Sequence, residues 1–173
     1  EAKCINCGQC VVACPFGAIG DASMMTNVIN SIRTSDNVYA MIAPAIEGQF
    51  GDVTVPQLKE AIKALGFKDC LEVALGADVV AWREAEEVVA NIKDGKKTTT
   101  SCCPAFVNLI EKHFPQLKEN ISTTVSPMVA TARLIKASNP DAEIVFIGPC
   151  IAKKDERRDT SIEGNADYVL TIG

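Results

Sequence analysis

Residues 143–150 read "EIVFIGPC", from Glu143 to Cys150, and this run decides the fold. An almost unbroken apolar stretch of strand length, closed by Gly148-Pro149, predicts a buried β-strand. Shorter runs of the same kind recur along the chain. They are "VYAMIAP" (Val38–Pro44), "CLEVAL" (Cys70–Leu75), "KTTTSC" (Lys97–Cys102) and "DYVLTIG" (Asp167–Gly173). Helical patterns separate them. Met25, Val28, Ile29 and Ile32 recur at helical spacing, as do Leu58, Ala61, Ile62 and Leu65. Thr54 with Gln57 forms a capping-box pattern, Pro56 falls in the first turn, and Gly66 marks a stop. Asp78 is placed to cap a helix over "VVAWREAEEVVANIK", ending near Gly95. Pro104 opens another helix that closes before Pro115, and Ser126-Pro127 opens the next. Five strands alternating with helices predict an α/β fold, a mainly parallel sheet flanked by helices. Ligands of such sheets gather at the carboxyl ends of strands. Pro44, the Cys102-Cys103 pair and Cys150 each follow a predicted strand.

The chain has 173 residues, 47% of them apolar and 23% charged, enough for one substantial domain with a small appendage. A net charge of −5 argues against nucleic acid or an anionic membrane as the main partner. No run approaches the roughly 18 apolar residues of a membrane-spanning helix, so no membrane insertion is expected. The opening "EAKCINCG" has no signal-peptide pattern, which sets a cytoplasmic expectation. It also lacks an initiator Met, and the chain closes on a strand-like run, so it reads as a fragment. Eight cysteines are many for this length. Four fall within the first 14 residues and two are adjacent; such bunching favours metal over a disulfide framework. The one boundary expected lies near residue 20, between a small ferredoxin-like cysteine-rich segment (1–20) and the remainder (21–173).

Within "CINCGQCVVACP", Cys4, Cys7, Cys10 and Cys14 follow the C-x2-C-x2-C-x3-C-P spacing of bacterial ferredoxins, which hold cubane 4Fe-4S clusters. Zinc also takes four thiolates, but even spacing with a closing Cys14-Pro15 favours iron–sulfur. In two-cluster ferredoxins the fourth cysteine of a run serves the other cluster. Cys14 therefore either completes a single cluster or belongs to a second one.

"TTTSCCP" (Thr98–Pro104) and "FIGPCIAKKDE" (Phe146–Glu156) together resemble two motifs of the iron-only ([FeFe]) hydrogenases. "VYAMIAPAIEGQFG" and "LGADVVAWREAEEVV" resemble stretches that this family carries between its ferredoxin segment and its first motif. The resemblance covers nearly the whole chain, making residues 21–173 the first lobe of an H-cluster domain. It implies an H-cluster, a cubane joined to a two-iron subsite, with Cys103 and Cys150 as two of the cubane ligands. The other two belong to a later glycine-rich motif that these 173 residues lack. On its own the chain is therefore expected to be inactive.

The resemblance assigns Cys102 to proton transfer. Cleaving H2 heterolytically needs a base beside the metal, which a free thiol–thiolate supplies and an iron-bound one does not. The family's proton relay matches Cys102, Glu84, Ser122 and Glu87, with Glu84 and Glu87 spaced i, i+3 on one helical face flanked by Trp82 and Val88. Lys153 matches a lysine that hydrogen-bonds a subsite cyanide, and Lys154 is read as facing Asp155, Glu156 or solvent. Pro44 matches a residue lining the subsite. Met128 stands where members carry glutamine, and Phe106 where many carry tryptophan. Cys70 reads as core, His113 as a helix C-terminal residue favoured by the dipole, and "KKDERRD" as a solvated loop.

The function implied is reversible reduction of protons to H2, with electrons relayed through iron–sulfur clusters. The implied partners are a ferredoxin-like electron carrier and dedicated maturation proteins. A non-catalytic iron–sulfur scaffold or an H2-sensing member of the same superfamily is the alternative. Cys102 favours the enzyme, because non-catalytic relatives tend to lack the proton-carrying thiol.

Overall fold

The structure, a computed structural model, describes residues 2–172. Strand β1 (Val38–Ile42) is buried along its whole length. It pairs in parallel with β2 (Asp69–Glu72) on one side and with β3 (Glu143–Gly148) on the other. Strand β4 (Tyr168–Thr171) pairs in parallel with β3, giving the order β2-β1-β3-β4. The alternation of side chains along β1 divides the core. Tyr39 and Met41 join Ile144 and Phe146 beneath Met128, Val129, Ala132 and Ile135. Val38, Ala40 and Ile42 join Val145, Cys70, Val28 and Ile62 on the opposite face.

Among the described residues there are seven α-helices: α1 (Gln9–Ala13), α2 (Met25–Thr34), α3 (Val55–Ala64), α4 (Ala74–Lys93), α5 (Pro104–His113), α6 (Pro127–Ser138) and α7 (Ala152–Glu156). The capping box forms at α3: Gln57 N–H donates to Thr54 Oγ1, and Thr54 N–H donates to Gln57 Oε1 at 3.0 Å. Gly66 follows with φ 112°, a backbone conformation that few residues other than glycine adopt. Ser126 caps α6 through the Val129 amide. In α2, Val28 is buried while Met25 and Ile29 are largely exposed, so the stripe contributes less to the core than its spacing predicts.

Two predicted boundaries differ. Residues 97–102 form no strand. Their β-pairing among the described residues is one parallel bridge, Thr99 to Ile121, with the Ser122 amide donating to Thr99 O at 2.8 Å. The Ser101 amide is engaged by the Glu84 carboxylate at 3.0 Å, so it does not enter a ladder. Helix α4 begins at Ala74, which places Asp78 inside it rather than at its cap. This first turn includes Gly76, whose missing side chain lets α4 approach α6. A Cβ there would lie 2.3 Å from Thr131 Oγ1 and 2.6 Å from Pro127 O.

Gly76→Ala tests this contact. Helix propensity alone would favour alanine by about 1 kcal/mol. Overpacking against an unyielding backbone carbonyl costs about 1–3 kcal/mol. The variant is expected to unfold at lower urea concentration; an equal or higher midpoint would show that the helices are free to separate there.

Candidate functional site

Two regions hold the chemistry-bearing residues. The first is the N-terminal cysteine loop. Cys4, Cys7 and Cys10 line a cavity of about 410 Å³ shared with Asp21, Ile151 and Lys154. Gly8 has φ 79°, which favours glycine, and Ile151 Cδ1 packs over it, 2.9 Å from where a Cβ would lie. The Lys112 ammonium donates to Cys4 O at 2.6 Å, and His113 Nε2 lies 2.9 Å from Lys3 O. The end of α5 is thereby fixed against the loop.

Among the described residues no three metal-ligating side chains converge on one point. Three cysteines lining one cavity form a donor set that an iron–sulfur cluster takes. Cys14 does not line this cavity. Its thiol is held below the ordinary cysteine range by backbone amides, those of Phe16 and Ala18 first, followed by Ile19 and Gly17. Amides that favour a thiolate suit a cluster ligand.

The second region joins α4 to the loop before α5. Glu84 and Glu87 share one face of α4, three residues apart. The Thr100 hydroxyl donates to both Glu84 oxygens at 3.0 Å, and the Ser101 amide donates to Oε1 at 3.0 Å. The Cys102 amide donates to Thr100 Oγ1 at 3.3 Å, so among the described residues this network meets the Cys102 backbone rather than its thiol. Farther along, Ser122 Oγ donates to Glu87 Oε2 at 2.5 Å, and the Thr123 amide to Oε1 at 3.1 Å. Ser101 Oγ donates to Thr124 O, and the Thr124 amide donates to Ser122 Oγ at 3.1 Å. Thr100, Ser101, Thr123 and Thr124 were not singled out from the sequence. The hydroxyl runs "TTTS" and "STT" were the available signal. Trp82 does not enclose the glutamates; it is 69% exposed.

Burial pushes the Glu87 carboxyl up, but hydrogen bonds from Ser122, the Thr123 amide and hydroxyl, and Thr124 outweigh it and hold it below the usual carboxylate range. Cys70 behaves oppositely: burial raises its thiol to about 11, as suits a core residue.

Cys103 is exposed and occupies the N-cap position of α5, with Pro104 following. Cys150 lies between β3 and α7. Lys153 ties their two segments together: its ammonium donates to Cys102 O at 3.2 Å and to Glu156 Oε2 at 2.7 Å. Asn108 on α5 donates to Asp155 on α7 at 3.1 Å. The reading of "KKDERRD" as a solvated loop is corrected, because Lys153 and Lys154 are both buried. Lys154 pairs with Asp21, not with Asp155, Glu156 or solvent. Met128 is buried at the start of α6. Pro44 opens a 3-10 turn after β1 and borders a cavity with Glu47, Val55 and Glu72 that no cysteine lines.

Residues 36–173 match the family described as iron only hydrogenase large subunit, C-terminal domain, and residues 1–20 match the 4Fe-4S binding domain. The periplasmic [Fe] hydrogenase large subunit of Nitratidesulfovibrio vulgaris is 33% identical over 99% of this chain and 54% of its own length. Iron hydrogenase 1 of Clostridium pasteurianum is 30% identical over 91% of this chain and 31% of its own. The NADP-reducing hydrogenase subunit of Solidesulfovibrio fructosivorans is 28% identical, and the chain spans 34% of its length. A variant structure of the [FeFe]-hydrogenase HydA1 from Chlamydomonas reinhardtii superposes with a TM-score of 0.76 at 23% identity, over 87% of this chain and 45% of that one. This last likeness is one of fold.

The low-lying Glu87 carboxyl gives a pH prediction. A carboxyl lowered in the folded state contributes stability that is complete above its ordinary value, near 4.3, and lost as pH falls through the lower folded value. Urea unfolding followed from pH 7 to pH 3 is expected to show stability falling below about pH 4. Glu87→Gln should flatten that fall; equal pH slopes in both proteins would show that these hydrogen bonds do not hold the carboxylate.

Proposed function

The chain belongs to the iron-only hydrogenase large-subunit family, and we propose that it carries the electron entry and one half of the active site of an enzyme that interconverts protons and H2. The reaction is 2H⁺ + 2e⁻ ⇌ H2. The observation that carries this reading is Glu84 hydrogen-bonded into the loop of Cys102, with Glu87 on the same helical face bonded to Ser122, which supports a proton route ending beside the Cys103 ligand position.

Cys4, Cys7 and Cys10, with Cys14 nearby, would hold 4Fe-4S iron at the N-terminal end. Cys103 and Cys150 would hold part of the H-cluster. When bound, that cofactor would pass electrons to or from the external carrier and provide the metal site at which H2 forms or splits. The remaining work belongs to the chain's own residues. Cys102, free of iron, accepts or delivers a proton at its sulfur. Glu84 stands next on the route, and its contacts with Thr100 and Ser101 orient the loop that carries the thiol. Ser101 has one hydroxyl proton, which it gives to Thr124 O. The hydroxyl lies 3.3 Å from Glu84 Oε1, so it can turn to Glu84 when that carboxylate is ionised. Ser122 and Glu87 continue outward to a groove lined by Arg83, Glu86 and Arg133. Lys153 holds the Cys102 carbonyl and supplies a positive charge near an anionic subsite.

A ferredoxin-like carrier would supply electrons, and maturation proteins would build the two-iron subsite. Pro44 and Met128 would contribute packing near that subsite. Without maturation the chain should bind cubane iron–sulfur and nothing more, and anaerobically purified protein should contain iron and sulfide in equal amounts. Zinc in place of iron would overturn the N-terminal assignment.

Cys102→Ala in the matured full-length protein tests the route. General acid–base groups contribute about 10²–10⁴-fold, so H2 evolution from a reduced viologen should fall at least about 100-fold with iron content unchanged. Undiminished turnover would remove Cys102 from proton transfer.

A further inference from the structure

The mechanism above leaves one buried charge unused. The Lys154 side chain is only 7% exposed and contacts the Asp21 carboxylate. It also donates to Ala22 O at 2.8 Å. Asp21 accepts from Thr171 Oγ1 at 2.9 Å, which fixes the carboxylate against the end of β4. Asp21, Ala22 and Lys154 line the same cavity as Cys4, Cys7 and Cys10. Lys154 also lies on the element that joins the two sites, because Cys150 is followed by Ile151, whose Cδ1 packs against Gly8.

A buried ion pair does not explain itself as a source of stability. Removing each charge from water costs several kcal/mol, and apolar replacements are often neutral or better. The two partners are also unequally buried: Asp21 keeps 27% exposure against 7% for Lys154. The deeper cation would be better accounted for by a second anion in the cavity. Iron–sulfur held by thiolates is such an anion, and it gains a further negative charge on reduction. Its potential responds to nearby net charge and to solvent exposure, most strongly where water is excluded. Of the other charges around the cavity, Asp155 is engaged by Asn108, and Arg158 is exposed.

We propose that Lys154 sets the reduction potential of the iron–sulfur centre held by Cys4, Cys7 and Cys10. Its ammonium, clamped by Asp21, favours the reduced state, while the Asp21 carboxylate acts in the opposite sense. This inference rests on the iron–sulfur reading of the N-terminal cavity. One electron enters from an external reductant; no bond forms or breaks, and Lys154 keeps its proton throughout. Lys154 is a positioning residue here, acting through its charge.

The test is an anaerobic redox titration of the iron-loaded protein, followed by electron paramagnetic resonance. At the midpoint potential of the unsubstituted protein, Lys154→Met should lower the reduced-to-oxidised ratio about tenfold, equivalent to about 59 mV for a one-electron couple. Asp21→Asn should raise the ratio. Lys154→Arg should keep it near the starting value, and the double variant Asp21→Asn/Lys154→Met should fall between the two single ones. Opposite signs for the two single variants are what a merely structural role would not produce. Should Lys154→Met fail to fold, the rise in Asp21→Asn remains decisive. Shifts of one sign, or none, overturn the inference while leaving the cluster in place. If the unsubstituted protein shows no cubane signal, the iron–sulfur reading falls and the inference with it.

Discussion

The parallel sheet is the constraint on which the rest of the molecule depends. Because β1, β2, β3 and β4 all run the same way, their carboxyl ends lie along one edge. Pro44, the start of α4, Cys150 and Thr171 therefore emerge on the same side. No local sequence preference brings these positions together. They meet because each parallel crossover needs a helix and returns the chain to the same starting edge. The N-terminal cysteine loop docks where that edge offers partners, through Asp21 to Thr171 and through Gly8 to the residue after Cys150.

The Cys102-Cys103 pair reaches its position by different forces. Its loop has one β-bridge, and a single bridge holds little. The Glu84 carboxylate on α4 and the Lys153 ammonium on α7 hold it further. Hydrogen bonds to charged groups contribute about 1.5–3 kcal/mol each. Glu84 accepts from Thr100 and Ser101, and Glu87 from Ser122 and Thr123. Glu84 thus has two roles that a single substitution cannot separate: it fixes the loop, and it stands on the proposed proton route. Iron content and thermal stability must accompany any activity measured on a Glu84 variant.

Where the sequence was legible, a local rule and the global fold agreed. The apolar runs at Val38 and Glu143 became the two central strands, since only a strand covered on both faces tolerates such continuity. The Thr54–Gln57 box was legible because its partners are three residues apart. "KTTTSC" misled because β-branched threonines favour strands, whereas the Thr100 hydroxyl is claimed by the Glu84 carboxylate 16 residues upstream and the Thr99 hydroxyl by Asn120 O, 21 residues downstream. "CLEVAL" ran on into a helix because Gly76 reads locally as a breaker; its reason lies in α6. At the site, the i, i+3 glutamates and Ser122 were visible, but the Thr100 and Ser101 groups that tie Glu84 to the Cys102 loop were not.

The neighbouring lysines of α7 show how far such non-local effects reach. Successive helical residues point about 100° apart, so Lys153 and Lys154 face different surroundings although both are buried. Two adjacent buried ammoniums repel, and each needs its own anion. Glu156, one turn along the same helix, serves Lys153. Nothing on α7 serves Lys154; its carboxylate comes from Asp21, 133 positions away in sequence. If Asp21 withdrew, α7 would carry an unpaired buried charge three residues beyond Ile151, the side chain that packs against Gly8. The Lys154–Asp21 pair therefore ties the burial of α7 to the chain that leaves the cysteine-rich segment.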